Sequence, residues 1–342
     1  MKYMHTLLRL TLTFGLGLAQ REWAATASSG AIQAGQIKNL VTFGDSYTDS
    51  SYYPSDDGGY SWPTYVAGYG PFNLYGFARS GATCSNNLTD RPFPPLTEYQ
   101  LPDYLNATRN GTLPASSILP DETIYAIWIG TNDVGANALL TQGVGVKKSV
   151  SIVEVRKCVV DVVRVLYENG ARYFVVMNMI PLNLTPLYSP NSYPSKYWAA
   201  PRNTTEWSVF MHELVRAGNA ITDLMLQALL PSLDGAHIAS FDAFALFADM
   251  YTNPSAYLNG TITTGNTTVP VYNVTGSIDA CVLQLNESVT DPGTCTVVEG
   301  PARDGYLWWD ELHPSEQADR IVAREITAVM KGQQSNWTTW LS

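Results

Sequence analysis

Several short motifs in the chain carry side chains that could together form an activated serine nucleophile. Gly44-Asp45-Ser46 supplies a hydroxyl, and Asp310 and His313 stand three residues apart near the C-terminal end. This spacing places a carboxylate and an imidazole on one side of a helix or turn, so the carboxylate can hold Nδ1–H while Nε2 accepts a proton from the serine. Because an unassisted serine hydroxyl is a poor nucleophile at neutral pH, we expect Ser46, Asp310 and His313 to act as a catalytic group.

A serine that attacks an ester carbonyl also needs hydrogen-bond donors for the oxyanion that forms. The candidates are the backbone amides of Ser46 and Gly81 and the side-chain amide of Asn132. Each such donor typically lowers the barrier by about 3–4 kcal/mol. Trp309, next to Asp310, is a candidate substrate-binding residue because an aromatic face can stack on a sugar ring, and a core position is the alternative.

The segments that precede these motifs have the pattern of buried strands. Runs that are apolar at consecutive positions predict strands over 39–43, 123–129, 173–178 and 237–241. Apolar residues at three- and four-residue steps predict helices over 149–169, 206–230 and 314–331, with Pro314 at the first helical position of the last one. Alternating strands and helices indicate an α/β protein, a three-layer α/β/α sandwich with a mostly parallel sheet. The motifs of Ser46 and Asn132 follow predicted strands, at the edge where such sheets bind ligands, and the Asp310–His313 motif precedes the last predicted helix.

In their order along the chain, these motifs resemble a known superfamily. Gly44-Asp45-Ser46, Gly81, Gly130-x-Asn132 and Asp310-x-x-His313 are similar to the motifs of the SGNH (GDSL-type) esterases. The resemblance implies a flavodoxin-like fold and ester hydrolysis. It also implies that Ser46 is the nucleophile, Gly81 and Asn132 are oxyanion donors, His313 is the base and Asp310 orients it.

Three longer blocks, 41–49, 128–133 and 308–314, resemble the secreted fungal acetylesterases of carbohydrate esterase family 16. That resemblance implies a secreted serine esterase that removes acetyl groups from acetylated xylo-oligosaccharides through an acetyl-enzyme. The chain departs from the superfamily's name-giving motif at Tyr47, where leucine is usual. Two other functions remain open: a GDSL-type lipase or lysophospholipase that acts on longer acyl esters, and a glycan-binding module without catalysis.

The composition narrows the range of partners. The chain has 342 residues, of which 45% are hydrophobic and 15% charged, so residues 28–342 can form a single hydrolase domain with a large core. Its net charge of −10 disfavours nucleic acid and anionic membranes as partners. The sequence has no Cys-x-x-Cys pair, phosphate loop or dinucleotide fingerprint. We therefore expect no metal and no cofactor. The resemblance to the acetylesterases implies an acetylated oligosaccharide as the partner, and the sequence does not give the oligomeric state, for which a monomer is expected.

The N-terminal segment and the sequons indicate secretion. Lys2 and Arg9 accompany an apolar stretch over 7–19, which is typical of a signal peptide cleaved after Ala19 or Ala27 and is too short for a membrane span. We assign residues 1–27 to this leader and its short flank, and expect an extracellular glycoprotein. Ten Asn-x-Ser/Thr sequons are candidate glycosylation sites: Asn87, Asn106, Asn110, Asn183, Asn203, Asn259, Asn266, Asn273, Asn286 and Asn336.

Four cysteines offer two disulfides. Cys281 and Cys295 lie 14 residues apart and are expected to pair, which would stabilise the fold by roughly 3 kcal/mol on the loop-entropy model. Cys84 and Cys158 either pair or remain buried thiols. Residues 253–305 are rich in Thr, Asn, Gly and Pro, and we interpret them as a glycosylated insertion pinned by the Cys281–Cys295 bridge.

Overall fold

The computed structural model describes residues 32–143, 145–147, 149–290 and 295–341, so the predicted signal peptide lies outside the described residues. The helices are α1 (Trp62–Tyr69), α2 (Leu101–Arg109), α3 (Thr131–Val134), α4 (Ile152–Glu168), α5 (Thr204–Leu229), α6 (Ala243–Thr252) and α7 (Glu316–Met330). The strands are β1 (Asn39–Gly44), β2 (Asn73–Gly76), β3 (Thr123–Trp128), β4 (Tyr173–Met177), β5 (His237–Phe241), β6 (Gly260–Thr264), β7 (Thr267–Val271), β8 (Asn273–Ser277), β9 (Asp279–Ala280), β10 (Thr296–Val297), β11 (Tyr306–Trp308) and β12 (Thr338–Trp340).

The central sheet has six strands in the order β12-β5-β4-β3-β1-β2. Its neighbours run parallel except for β12, which pairs antiparallel with β5 at the edge. The chain moves from β1 to β2 on one side and from β3 to β4 on the other, so the order reverses between β1 and β3. A crevice forms at such a reversal, beyond the carboxyl ends of the two strands, and this is where Ser46 and Asn132 follow.

Both faces of the sheet are buried, as expected for parallel strands. Successive residues of one strand enter opposite cores: Leu40 contributes to the core that includes residues of α1, α6 and α7, and Val41 to the core that includes residues of α2 and α4. Helix α5 contributes Met211 to the first core and Leu226 to the second. The molecule is therefore the expected three-layer α/β/α sandwich.

The helix boundaries follow from capping side chains. Ser151 caps α4 through a reciprocal capping box with Glu154. The Ser315 hydroxyl accepts a hydrogen bond from the Ala318 amide at 3.2 Å and caps α7. The prediction that Pro314 occupies the first helical position is therefore wrong: Pro314 precedes the cap and forms a β-bridge with Trp308.

The described residues of the predicted insertion, 253–290 and 295–305, form an irregular segment beside the sandwich. Its main features are the antiparallel hairpin β6–β7, the antiparallel pair β9–β10 and strand β8, which runs parallel to β11. The disulfide between Cys281 and Cys295 is present, as expected from their spacing. A second disulfide joins Cys84, in the loop after β2, to Cys158 on α4, which resolves the alternative left open by the sequence.

The ten sequon asparagines lie at or near the surface. Asn183 and Asn273 are half-buried, and the other eight are exposed: Asn87, Asn106, Asn110, Asn203, Asn259, Asn266, Asn286 and Asn336. Within the described ranges, no helix is both long enough and apolar enough to cross a bilayer.

Candidate active site

Ser46 lies in a tight turn directly after β1. The Asp45 side chain accepts a hydrogen bond from the Tyr47 amide at 3.2 Å, and its carbonyl accepts one from the Thr48 amide at 3.0 Å. A Cβ on Gly44 would come within 2.3 Å of the Trp128 carbonyl oxygen, so only glycine permits the close approach of β1 and β3 here. The turn presents Ser46 at the carboxyl end of the sheet, with 6% of its surface exposed.

Asp310 and His313 lie in the turn between β11 and α7. Asp310 Oδ1 accepts hydrogen bonds from the amides of Leu312 and His313, both at 2.8 Å, and so fixes the turn that carries the imidazole. The Asp310 carboxylate lies 3.0 and 3.1 Å from His313 Nδ1, and His313 Nε2 lies 2.9 Å from Ser46 Oγ. The three side chains predicted from distant motifs are therefore in direct contact.

Two further side chains contact Asp310 from the loop between β4 and α5. Tyr197 donates its hydroxyl to Asp310 Oδ2 at 2.5 Å, and its oxygen lies 3.0 Å from His313 Nδ1. Lys196 Nζ lies 3.0 Å from Asp310 Oδ2 and 3.6 Å from a carboxylate oxygen of Asp279. Sequence reasoning missed Lys196 and Tyr197 because they lie in an irregular loop that carries no motif or periodicity.

These contacts shift the pKa values of Asp310 and His313. Burial alone would raise the pKa of the Asp310 carboxyl, but His313, Lys196 and Tyr197 outweigh burial and lower that pKa below its usual range. Burial likewise disfavours the charged imidazole, yet the Asp310 carboxylate at hydrogen-bond distance outweighs it and raises the pKa of His313 above its ordinary value. Asp310 is thus ionised at neutral pH and acts as the acceptor for Nδ1–H.

The predicted oxyanion donors surround the same cavity. Gly81 has a φ of +75°, and the Phe93 ring packs where a Cβ would lie, so this position requires glycine. In the part of the chain that the structure describes, the amides of Ser46 and Gly81 donate to no protein group. Asn132, 6% exposed, donates Nδ2 to the Ala82 carbonyl oxygen at 2.9 Å, which leaves one Nδ2 hydrogen for a ligand.

The cavity beside Ser46 has a volume of about 300 Å³. Aromatic and apolar side chains face polar ones across it, and the aromatic rings in its lining are Phe93, Tyr188, Tyr197 and His313. Trp309, the predicted sugar-stacking residue, is not part of this lining. Its ring packs against Gly58 and lies under the Arg303 guanidinium, 5.1 Å from the ring centroid.

Two buried carboxyl groups, Asp57 and Asp319, lie close to the site but take no part in the contacts above. Both are 0% exposed. Burial, reinforced by the neighbouring carboxylates, raises the pKa of each well above its ordinary value. A carboxyl in such surroundings keeps its proton at pH values where an exposed one has lost it.

Within the described ranges, one group of side chains has the spacing of a metal site. Ligand atoms of Asp279, Cys281 and Cys295 lie within 4.8 Å of one another. The two sulfur atoms are joined in a disulfide, so neither is a thiolate, and Asp279 faces Lys196 instead. The donor set therefore does not suit a metal ion.

The chain is similar to several known proteins. Residues 40–326 match the family model described as GDSL-like Lipase/Acylhydrolase. The chain is 31% identical to an acetylesterase of Hypocrea jecorina over 89% of this chain and 92% of the relative. It is 24% identical to an acetylesterase of Thermothelomyces thermophilus over 95% of this chain and 98% of that one. An alpha/beta hydrolase from the metagenome of Lake Arreo superimposes with a TM-score of 0.41 at 15% identity, covering 89% of this chain and 99% of that one.

The fold and the site define a hydrolase of carboxylic esters. The family match spans most of the chain, and the chain therefore belongs to the GDSL-like lipase/acylhydrolase family. The predicted superfamily, fold class and enzyme class are confirmed.

Proposed function

We propose that this protein is a secreted serine acetylesterase that removes acetyl groups from acetylated xylo-oligosaccharides. The observation that carries the proposal is the contact of Ser46 Oγ with His313 Nε2 at 2.9 Å, with Asp310 on the opposite ring nitrogen. The two relatives named acetylesterase, which align over nearly their whole length, support the choice of acyl group.

In the proposed mechanism, His313 Nε2 removes the hydroxyl proton as Ser46 Oγ attacks the acetyl carbonyl carbon. The amides of Ser46 and Gly81 and the Asn132 side chain donate to the oxyanion. The intermediate collapses to acetyl-Ser46, and the imidazolium returns its proton to the departing sugar oxygen. Water, deprotonated by His313, then attacks the acetyl carbonyl, and the imidazolium returns that proton to Ser46 Oγ as the ester bond breaks and acetate leaves. Asp310 keeps Nδ1–H in place throughout.

The surroundings of Ser46 suit a small acyl group on a polar alcohol. The cavity volume of about 300 Å³ is at the low end of the range for ligand pockets. Phe93 is 41% exposed and belongs to the cavity lining, so its ring can contact a sugar ring. Ser80 and Asn137 supply polar groups in the same lining. Trp309 stays a candidate for contacts with a longer oligosaccharide.

Secretion is part of the proposal. Two disulfides in a chain of this size are typical of oxidising compartments. The exposure of eight of the ten sequon asparagines leaves them accessible to glycans. N-terminal sequencing of protein secreted by a eukaryotic host, and its mass before and after endoglycosidase treatment, test the leader at residues 1–27 and the glycans.

The catalytic assignment is tested with Ser46→Ala. We expect acetate release from acetylated xylo-oligosaccharides to fall by about 10⁴-fold or more, because the remaining groups act only through the serine. Ser116→Ala is the matched control, since Ser116 is exposed in the segment that leads into β3, at the opposite end of the sheet. An unchanged rate in Ser46→Ala would remove the enzyme assignment, and sugar binding without wild-type turnover would favour a glycan-binding module.

The acyl group is tested with 4-nitrophenyl esters from acetate to octanoate. An acetylesterase should show a falling kcat/KM as the acyl chain lengthens, because the extra methylene groups do not fit in the small cavity. Equal or rising values for the long chains, together with release of fatty acid from lysophospholipid, would support the lipase alternative instead.

A further inference from the structure

Arg91 is a cation in the candidate active site that neither the sequence motifs nor the proposed mechanism uses. Its Nη1 donates to Asn132 Oδ1 at 2.6 Å, and its guanidinium lies 5.4 Å from the centroid of the Phe93 ring, which it faces. It belongs to the lining of the cavity beside Ser46. It therefore contacts directly the side chain proposed as an oxyanion donor.

The loop that carries Arg91 is fastened to the segment that carries Asn132. The backbone amide of Cys84 donates to the Asp133 carboxylate at 3.1 and 3.2 Å, and Thr89 donates its hydroxyl to the same carboxylate at 2.6 Å. The Cys84–Cys158 disulfide also attaches this loop to α4. The contact between Arg91 and Asn132 thus joins two parts of the chain that have little freedom to separate.

The chemistry of the two partners determines the orientation of the Asn132 amide. Arginine can only donate hydrogen bonds and a backbone carbonyl can only accept them, so Oδ1 must face Arg91 and Nδ2 must face the Ala82 oxygen. One hydrogen of Nδ2 remains available on the cavity side. A positive group on Oδ1 also draws electron density from the amide nitrogen and makes that hydrogen a stronger donor.

The charge of Arg91 has no contact ion pair among the described residues. Its neighbour Asp90 faces Lys147 instead, at 4.0 Å, and the nearby Asp45 and Asp133 carboxyls bond to backbone amides and Thr89. Burial lowers the pKa of Arg91, and arginine nevertheless stays protonated at neutral pH. The field of this cation therefore extends into the cavity where negative charge develops on the carbonyl oxygen.

We propose that Arg91 is a positioning residue of the oxyanion hole, which orients and polarises the Asn132 amide so that it donates most strongly to the charge that forms in the transition state. The proposal rests on the serine esterase function proposed above. It assigns Arg91 a contribution to kcat and none to the binding of the uncharged ester.

A double-mutant cycle on 4-nitrophenyl acetate hydrolysis tests the proposal. Arg91→Met should lower kcat by about 10- to 100-fold with KM changed by less than about two-fold, the range expected for a charge-assisted hydrogen bond that acts in the transition state. Asn132→Ala should lower kcat by about 10²- to 10³-fold. In the Asn132→Ala background, Arg91→Met should cost less than about three-fold more, because the side chain through which it acts is absent.

Arg109→Met, at the exposed end of α2, is the matched control and should leave both constants unchanged. Arg91→Lys keeps the charge and should retain a kcat between those of the wild type and Arg91→Met; it replaces Arg91→Met in the cycle if thermal unfolding shows that the methionine variant is not folded.

Equal losses from Arg91→Met in both backgrounds, or a raised KM at unchanged kcat, would overturn the proposal in favour of direct contact with substrate. If Ser46→Ala keeps wild-type activity, the proposed function itself fails. If Ser46→Ala loses activity but the double-mutant cycle is additive, the proposed function stands and only the role of Arg91 is wrong.

Discussion

Replacing Lys196 by methionine should move the acid limb of the activity profile to higher pH. Catalysis requires a neutral His313, so kcat/KM rises with pH as the imidazolium loses its proton. Lys196 Nζ lies 3.0 Å from Asp310 Oδ2, and it opposes a second positive charge on the neighbouring ring. Without that ammonium, Asp310 and Asp279 hold the imidazolium more strongly, and the pKa of His313 rises further above its ordinary value.

The size of the shift follows from the distances. Lys196 Nζ and His313 Nδ1 lie 3.0 and 3.1 Å from the same oxygen, Asp310 Oδ2. They are therefore at most about 6 Å apart, a separation at which two unit charges repel by roughly 2.8 kcal/mol at an effective dielectric constant of ~20 and by roughly 0.7 kcal/mol in water. The Lys196 side chain is 26% exposed, so the effect lies between these limits. We expect an upward shift of roughly 0.5–1.5 pH units.

The assay is kcat/KM for 4-nitrophenyl acetate across the acid limb, with unfolding followed at each pH. Lys196→Arg should preserve the wild-type profile. Lys157→Met removes the same charge from an exposed ion pair with Asp161 on α4 and should leave the limb in place. The other titratable groups around the imidazole are unchanged in all three variants: Asp45, Asp56, Asp57, Asp310 and Tyr197. An acid limb that stays in place or moves to lower pH in Lys196→Met would refute the reasoning.

Three other outcomes are expected. Asp310→Asn should lower kcat by about 10⁴-fold and move the acid limb to lower pH, because the carboxylate that holds Nδ1–H and raises the pKa of His313 is gone; an unchanged profile would contradict this. Asp319→Asn should raise Tm by more at pH 7 than near pH 4. In the folded protein the buried Asp319 carboxyl keeps its proton, whereas in the unfolded chain it loses the proton above about pH 4, so the stability of the wild type falls as pH rises. Asparagine does not titrate and removes this loss. A gain that does not depend on pH would argue against a raised pKa. Replacing Cys84 and Cys158 together by serine should lower the unfolding free energy by roughly 4 kcal/mol for the 74-residue separation, measured in urea; an unchanged midpoint would show that the bridge does not restrain the unfolded chain.

The sequence predicted the parts of the fold and site that short-range patterns encode. Consecutive apolar residues placed β1, β3, β4 and β5 within one residue of their observed ends, and the strand-end position of Ser46 and Asn132 followed directly. The contact of Ser46 with His313 was expected from the Asp310-x-x-His313 spacing and the resemblance to SGNH esterases, because His313 follows β11, which lies outside the central sheet. Their catalytic roles stay predictions until the variants are assayed.

The remaining features depend on tertiary packing that no local pattern records. Strand β12 is three residues long and pairs antiparallel at the sheet edge, and no strand was predicted there. Arg91, Lys196 and Tyr197 reach the site from irregular loops, and loop side chains carry no periodicity. Pro314 was misplaced because the Ser315 hydroxyl, and not the proline ring, begins α7.

Glu311, which follows Asp310 in the chain, connects the irregular segment over 253–305 to the active site. Glu311 Oε1 accepts hydrogen bonds from the Cys281 amide at 2.8 Å and from the Tyr193 hydroxyl at 3.0 Å. The segment over 253–305 also provides Asp279, the second carboxylate beside Lys196. Excising this segment would therefore leave the buried Glu311 carboxylate without the Cys281 amide and Lys196 without its second carboxylate, so a shortened enzyme would have a different charge balance beside the triad.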